Sequence, residues 1–126
     1  MVAKGDYHLR VSGYSNGRLR VKLDQSAQVH SVRPAIDVTF ETAAEVVSDP
    51  LTAVVLTGMG ADGAAGIEAI KNAGGRTIAQ DEETSAVFGI PARAIDTGCV
   101  DAVRSLDRLP DGILDSIRRD NQWKTT

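Results

Sequence analysis

The sequence predicts an α/β fold, a parallel sheet with crossover helices, preceded by an antiparallel β-hairpin near the N-terminus. Three observations carry this. Leu51, Ala53, Val54, Val55 and Leu56 form a short, nearly continuous apolar run followed by glycines, the pattern of a strand buried on both faces. Helical spacing of Ala65, Ile67, Ala69 and Ile70 comes next, and then a second short strand pattern, Thr77-Ile78-Ala79, which together make the βαβ rhythm. Upstream, two alternating segments flank Ser15-Asn16-Gly17. Asn-Gly favours a hairpin because both residues tolerate positive φ.

Taken in order, Tyr7–Val11 and Arg18–Leu23 are the hairpin strands, and Gln25–Val32 is a loop. Pro34 opens a helix whose apolar face is Ile36, Val38, Phe40, Ala43, Ala44 and Val47. Ser48-Asp49-Pro50 stops it. The central strand, Leu51–Leu56, leads through Gly58, Gly60 and Gly63 into a helix from Ala61, which ends at the glycine C-cap signal Asn72-Ala73-Gly74-Gly75. Arg76–Gln80 is a strand closing on the acidic Asp81-Glu82-Glu83. Pro91–Asp96 is a short helix stopped by Gly98, and Cys99–Val103 a last strand. Leu106–Ile117 is a terminal helix, with Pro110 in its first turn or dividing it, and Arg118–Thr126 is a polar end expected to fray.

The chain has 126 residues, enough for one domain or a large part of one. With 42% hydrophobic and 25% charged residues, its composition is that of a soluble globular protein. A net charge of −3 gives no reason to expect nucleic acid or an anionic membrane as partner. No apolar run approaches a bilayer span, and Met1-Val2-Ala3-Lys4-Gly5-Asp6 turns polar too soon for a signal peptide. A single cysteine, Cys99, excludes an internal disulfide and suits the cytoplasm. Its expected state is a packed, inert thiol.

The glycine turn admits three explanations. Gly58-x-Gly60-x-x-Gly63 has dinucleotide-binding spacing, and Asp81 lies near where a ribose-binding acid would sit. Against this, Asp62 puts a carboxylate where a pyrophosphate must go, and two like charges about 4 Å apart repel by roughly 1 kcal/mol in water and about 4 kcal/mol at an effective dielectric of 20. Alternatively, Asp62 is the acid of a Ser-His-Asp triad, orienting a histidine and stabilising its imidazolium, with N–H groups near Met59 and Gly60 left to meet an oxyanion. The plainest explanation is that Asp62 caps its own helix.

Leu56-Thr57-Gly58-Met59-Gly60-Ala61-Asp62-Gly63 resembles the signature of the chemotaxis receptor methylesterases, the CheB catalytic domain. The stretches Val2–Leu9, Arg33–Phe40, Ala79–Ser85 and Phe88–Ile95 are similar to that family as well, so the resemblance spans Val2 to Ile117. It implies a doubly wound, mostly parallel sheet with an antiparallel hairpin. It also implies a serine hydrolase acting on glutamate γ-methyl esters, and on glutamines in many members, in the cytoplasmic region of chemoreceptors. Asp62 would be the triad acid, with Met59 and Gly60 beside the oxyanion. Gln80, Asp81, Glu82, Ser85 and Gly89 would border the substrate groove. No cofactor and no metal are implied.

Several features depart from the family pattern. The nucleophile turn, Gly-x-Ser-Thr-Gly-Gly, and the triad histidine have no counterpart here. Neither His8 nor His30 matches that histidine, and no serine sits in an elbow setting, Ser85 included. Ile90 and Lys4 replace a usual methionine and proline. Met1-Val2-Ala3 is expected to fall inside a strand leading to the hairpin, so the chain as a single domain would be an incomplete methylesterase domain lacking its first strands. Three expectations follow: little activity alone, pairing with the missing N-terminal half, and self-association of the uncovered sheet edge through a second copy. The competing expectation is a non-catalytic receptor-binding or assembly module.

Overall fold

The computed structural model describes residues 1–125, with side chains through Arg118. The elements in chain order are β1 (His8–Ser15), β2 (Arg18–Asp24), α1 (Ile36–Val46), β3 (Thr52–Val55), α2 (Ala64–Asn72), β4 (Arg76–Gln80), α3 (Ile90–Asp96) and β5 (Ala102–Arg104). A 3-10 turn, Leu106–Arg108, then leads into α4 (Leu109–Thr125). The fold is α/β as expected. β3, β4 and β5 form a parallel three-stranded sheet in that order, and β1 and β2 an antiparallel pair.

The hairpin turn carries positive φ at both Asn16 and Gly17, 52° and 73°, which lets the turn follow the strand twist. Ala53 and Val55 on β3 alternate onto one face of the parallel sheet. There they join Ile67 and Ile70 of α2, Ala79 of β4 and Ala94 of α3 in the buried core. α4 crosses the other face, where Ser116 Oγ lies 2.8 Å from Thr52 Oγ1 on β3. Helices therefore cover both faces, the doubly wound arrangement. α1 packs between β1 and α2. The α1–α2 crossing depends on Gly66, because a Cβ there would stand 2.6 Å from Phe40 Cβ. Among the described residues, no helix is long and apolar enough to cross a membrane.

Several boundaries moved, each for a physical reason. α2 starts at Ala64 rather than Ala61 because Gly63 has φ of +106°, a left-handed conformation that cannot sit inside a right-handed helix. The strand expected over Cys99–Val103 begins only at Ala102, since side chains displace the backbone ladder before it. Thr77 Oγ1 donates to Cys99 O, and Thr77 N donates to Asp101 Oδ2 at 3.0 Å. Met1–Ala3 form no strand; the first starts at His8. Pro110 sits in the first turn of α4, where its missing N–H is harmless. That helix continues to Thr125, past the expected end at Ile117, while Thr126 lies outside the described residues.

Candidate functional site

β3 ends at Val55, and Thr57–Gly63 crosses the carboxyl end of the sheet. Two helices begin beside this turn, and each receives its cap from the other's neighbourhood. Ile36 N and Asp37 N, the first amides of α1, donate to Asp62 Oδ2 at 2.6 Å and Oδ1 at 3.0 Å. Gly63 N and Gly66 N, at the start of α2, donate to Asp37 Oδ1 at 2.9 and 2.8 Å. Asp62 thus caps α1 and not its own helix, which corrects the plainest expectation. The exchange satisfies four amides that a helix start leaves without partners. It also places two negative groups at two positive helix ends. Both acids are buried, Asp37 at 3% and Asp62 at 8% exposure.

Two amides that a pyrophosphate at this turn would need, Gly63 N and Gly66 N, are already held by the Asp37 carboxylate. His30 Nε2 approaches Asp37 Oδ2 at 2.8 Å. His30, Asp37 and Asp62 each offer a ligand atom within 4.8 Å of the others, so among the described residues this trio could hold a metal ion. A metal there would compete for carboxylate oxygens that each already accept a hydrogen bond.

The turn itself is pinned from the far side. Gly58 N donates to Val87 O at 2.9 Å, and Gly58 O accepts from Gly89 N at 3.0 Å and Ile90 N at 2.8 Å. Gly89 is required by this approach, since a Cβ there would lie 2.7 Å from Gly58 O. Thr57 N donates to Gln80 Oε1 at 2.8 Å, and Gln80 Nε2 donates to Thr84 O at 2.9 Å. Between these braces Met59 projects outward, 82% exposed. The amides of Met59 and Gly60 meet no acceptor among the described residues. Both amides stand next to the exposed Met59 side chain.

The remaining predicted groove residues are dispersed around this turn. Gln80 is 1% exposed with both ends of its amide engaged, so it supports the loop instead of lining an opening. Asp81 accepts from Thr84 N and Thr84 Oγ1 at 2.9 and 2.6 Å, and Ser85 Oγ donates to Asp81 O at 2.6 Å. Glu82 is exposed. Asp81 also borders a groove of about 970 Å³ with Glu83, Arg104, Asp107, Arg108 and Asp111. This groove lies between the ends of β4 and β5 and the start of α4. His8 is fully buried, its Nδ1 accepting from Ala35 N at 3.3 Å and its Nε2 facing Ala27 O at 2.9 Å, so it is a structural group.

Residues 1–113 match the family model described as CheB methylesterase. The chain belongs to the CheB methylesterase family. It is 71% identical over 119 residues to the protein-glutamate methylesterase/protein-glutamine glutaminase of Halobacterium salinarum, covering 94% of this chain and 34% of that protein. The protein of the same name from Pyrococcus horikoshii is 47% identical over 116 residues, covering 92% of this chain and 31% of that protein. The structure resembles the crystal structure of the Thermotoga maritima CheB methylesterase catalytic domain with a TM-score of 0.84 and 41% identity. That likeness covers 90% of this chain and 59% of the Thermotoga chain. The chain thus spans about a third of the length of these curated CheB relatives.

Two residues that the fold brings beside Asp62 were not singled out by the sequence. Asp37 belonged to a stretch similar to the family, yet nothing in that stretch separates a buried acid from a solvated one in a helix's first turn. His30, seven positions earlier in a loop, has no spacing signal toward Asp62. Both are brought there by long-range folding.

Proposed function

We propose that this chain supplies the acid and part of the substrate face of a serine-hydrolase site that cleaves glutamate γ-methyl esters on the cytoplasmic region of methylated chemoreceptors. Hydrolysis of glutamine side-chain amides is the companion reaction. The observation that carries the proposal is Asp62, a buried carboxylate at the mouth of β3 held by two α1 amides, directly after a turn with two unengaged donors. Each Asp62 oxygen accepts one amide and retains a lone pair for an imidazole N–H.

In this scheme a serine Oγ attacks the ester carbonyl carbon while a histidine takes its proton. Asp62 fixes that histidine's tautomer and stabilises the imidazolium. The Met59 and Gly60 amides donate to the oxyanion. Collapse expels methoxide, which leaves as methanol with the histidine's proton, and water then hydrolyses the acyl-enzyme. Serine and histidine come from a segment outside these 126 residues, the N-terminal half of the domain, so the chain alone is inert. Met59, Asp81, Glu82, Ser85 and Gly89 face the substrate, and Gln80 braces them. The same N-terminal half, or a second copy, would cover the open side of β3, where Leu9, Pro34, Ile36, Phe40 and Val54 line an apolar groove of about 320 Å³.

The test is methanol release from a methylated receptor after mixing the chain with a separately prepared N-terminal half of a CheB methylesterase domain. Activity is expected only in the mixture, with Asp62→Asn lowering it by about four orders of magnitude, as in other triads. Turnover by the chain alone, or equal activity with Asp62→Asn, refutes the proposal. Receptor binding without turnover in the mixture identifies a binding module instead.

A further inference from the structure

The outer strand of the hairpin is covered on neither face. Every residue from Arg18 to Leu23 is exposed, including Leu19 at 55%, Val21 at 38% and Leu23 at 43%. The register sets these three opposite Tyr14, Val11 and Leu9 on β1, so the six side chains share one face. α1 packs against β1 and closes its edge, with Val11 N donating to Thr42 Oγ1 and Thr39 Oγ1 donating to Leu9 O. Among the described residues, the β2 half of that face stays bare and its far edge has no neighbouring strand. On the opposite face stand Arg18, Arg20 and Lys22, whose side chains have no ion-pair or hydrogen-bond partner among the described residues. One open strand edge therefore presents an apolar row and a cationic row.

We propose that β2 is a docking strand for an acidic, extended segment of another protein, which adds to its free edge. Extended chain alternates its side chains between faces. A segment alternating acids with apolar residues would meet Arg18, Arg20 and Lys22 with one row and Leu19, Val21 and Leu23 with the other, while its backbone pairs with the edge. Charge selects this occupant over a second copy. Two β2 strands paired about a two-fold axis would set the three cations of one against those of the other, and like charges opposite one another destabilise a sheet. The proposal is independent of the hydrolase scheme, and its test involves no turnover.

The probe is a fluorescein-labelled alternating glutamate–valine peptide titrated with the 126-residue chain and followed by anisotropy. Saturable binding is expected, weakened about tenfold or more by the R18E/R20E/K22E variant, with an alternating lysine–valine peptide showing the reverse preference. N-methylation of alternate peptide amides should also abolish binding, an arm that requires no protein variant, and far-UV circular dichroism checks that the charge-reversed chain folds. Absence of binding at millimolar peptide, equal affinity for both forms of the chain, or indifference to N-methylation overturns the proposal. A dimer in light scattering that L19S/V21S dissolves also overturns it, making a second copy the occupant.

Discussion

Replacing Asp37 by alanine strands the groups that converge on its carboxylate. Gly63 N and Gly66 N lose the acceptor they share at 2.9 and 2.8 Å, and His30 loses the oxygen 2.8 Å from its Nε2. The carboxylate is 3% exposed, so water cannot simply take its place. A buried N–H left without a partner costs about 1–3 kcal/mol, and loss of a helix cap about 0.5–2 kcal/mol. With two amides on one oxygen, Asp37→Ala is expected to destabilise the chain by about 3 kcal/mol, a large share of the roughly 5–15 kcal/mol that holds a domain folded. Asp37→Asn keeps one carbonyl oxygen for the two amides, and its cost is expected to be about 1 kcal/mol. The decisive quantity is the difference between the variants, about 2 kcal/mol, measured by urea unfolding in circular dichroism at matched slope. If both variants unfold within about 0.5 kcal/mol of the parent chain, the mutual capping of α1 and α2 does not hold the turn, and the account of how Asp62 is positioned fails with it.

Other expectations are more local. Burial raises the Asp101 carboxyl, but bonds from Lys71 and from Thr77 outweigh it and hold the group below the usual carboxylate range. Its stabilising contribution is complete above the unfolded carboxyl value of about 3.9 and disappears as pH falls toward the folded one. Asp101→Asn should therefore flatten the acid limb of a stability–pH curve, and an unchanged limb would contradict this. Gly89→Ala has no backbone strain to overcome at φ −96°, so its Cβ contact with Gly58 O isolates sterics. A loss of about 1–3 kcal/mol, with shifted Met59 and Gly60 amide resonances, is expected, and unmoved resonances would refute the close approach. Ile67→Ala, at 0% exposure, should cost about 2–5 kcal/mol. Met59→Ala, at 82% exposure, should stay within about 0.5 kcal/mol of the parent. Thermal melts of the pair compare core with open turn.

Much of the architecture was legible because it depends on neighbours within one or two turns of chain. The Asn16-Gly17 hairpin, the apolar run of β3, the helical stripe of α2 and the glycines that end it are local choices of φ, burial and period. Boundaries slipped where a distant side chain took over a backbone partner. Thr77 and Asp101 did this before β5, and Gly63 at α2 could be placed only once its left-handed φ was known. The site was legible in part. The Gly58–Gly63 turn and its acid stood out by composition, whereas Gln80, expected at an opening, is buried because its amide spans Thr57 and Thr84.

By itself, the sequence determined the elements, the turn at the carboxyl end of β3 and the acid that follows it. Only the tertiary structure decided that Asp62 serves α1 while Asp37 serves α2, and that His30 stands beside both. The reason is physical. A helix end needs acceptors for its free amides but does not specify where in the chain they come from, and here they come from 25 to 29 residues away. No periodicity records such a bond, and only packing α1 against α2 brings its two ends together.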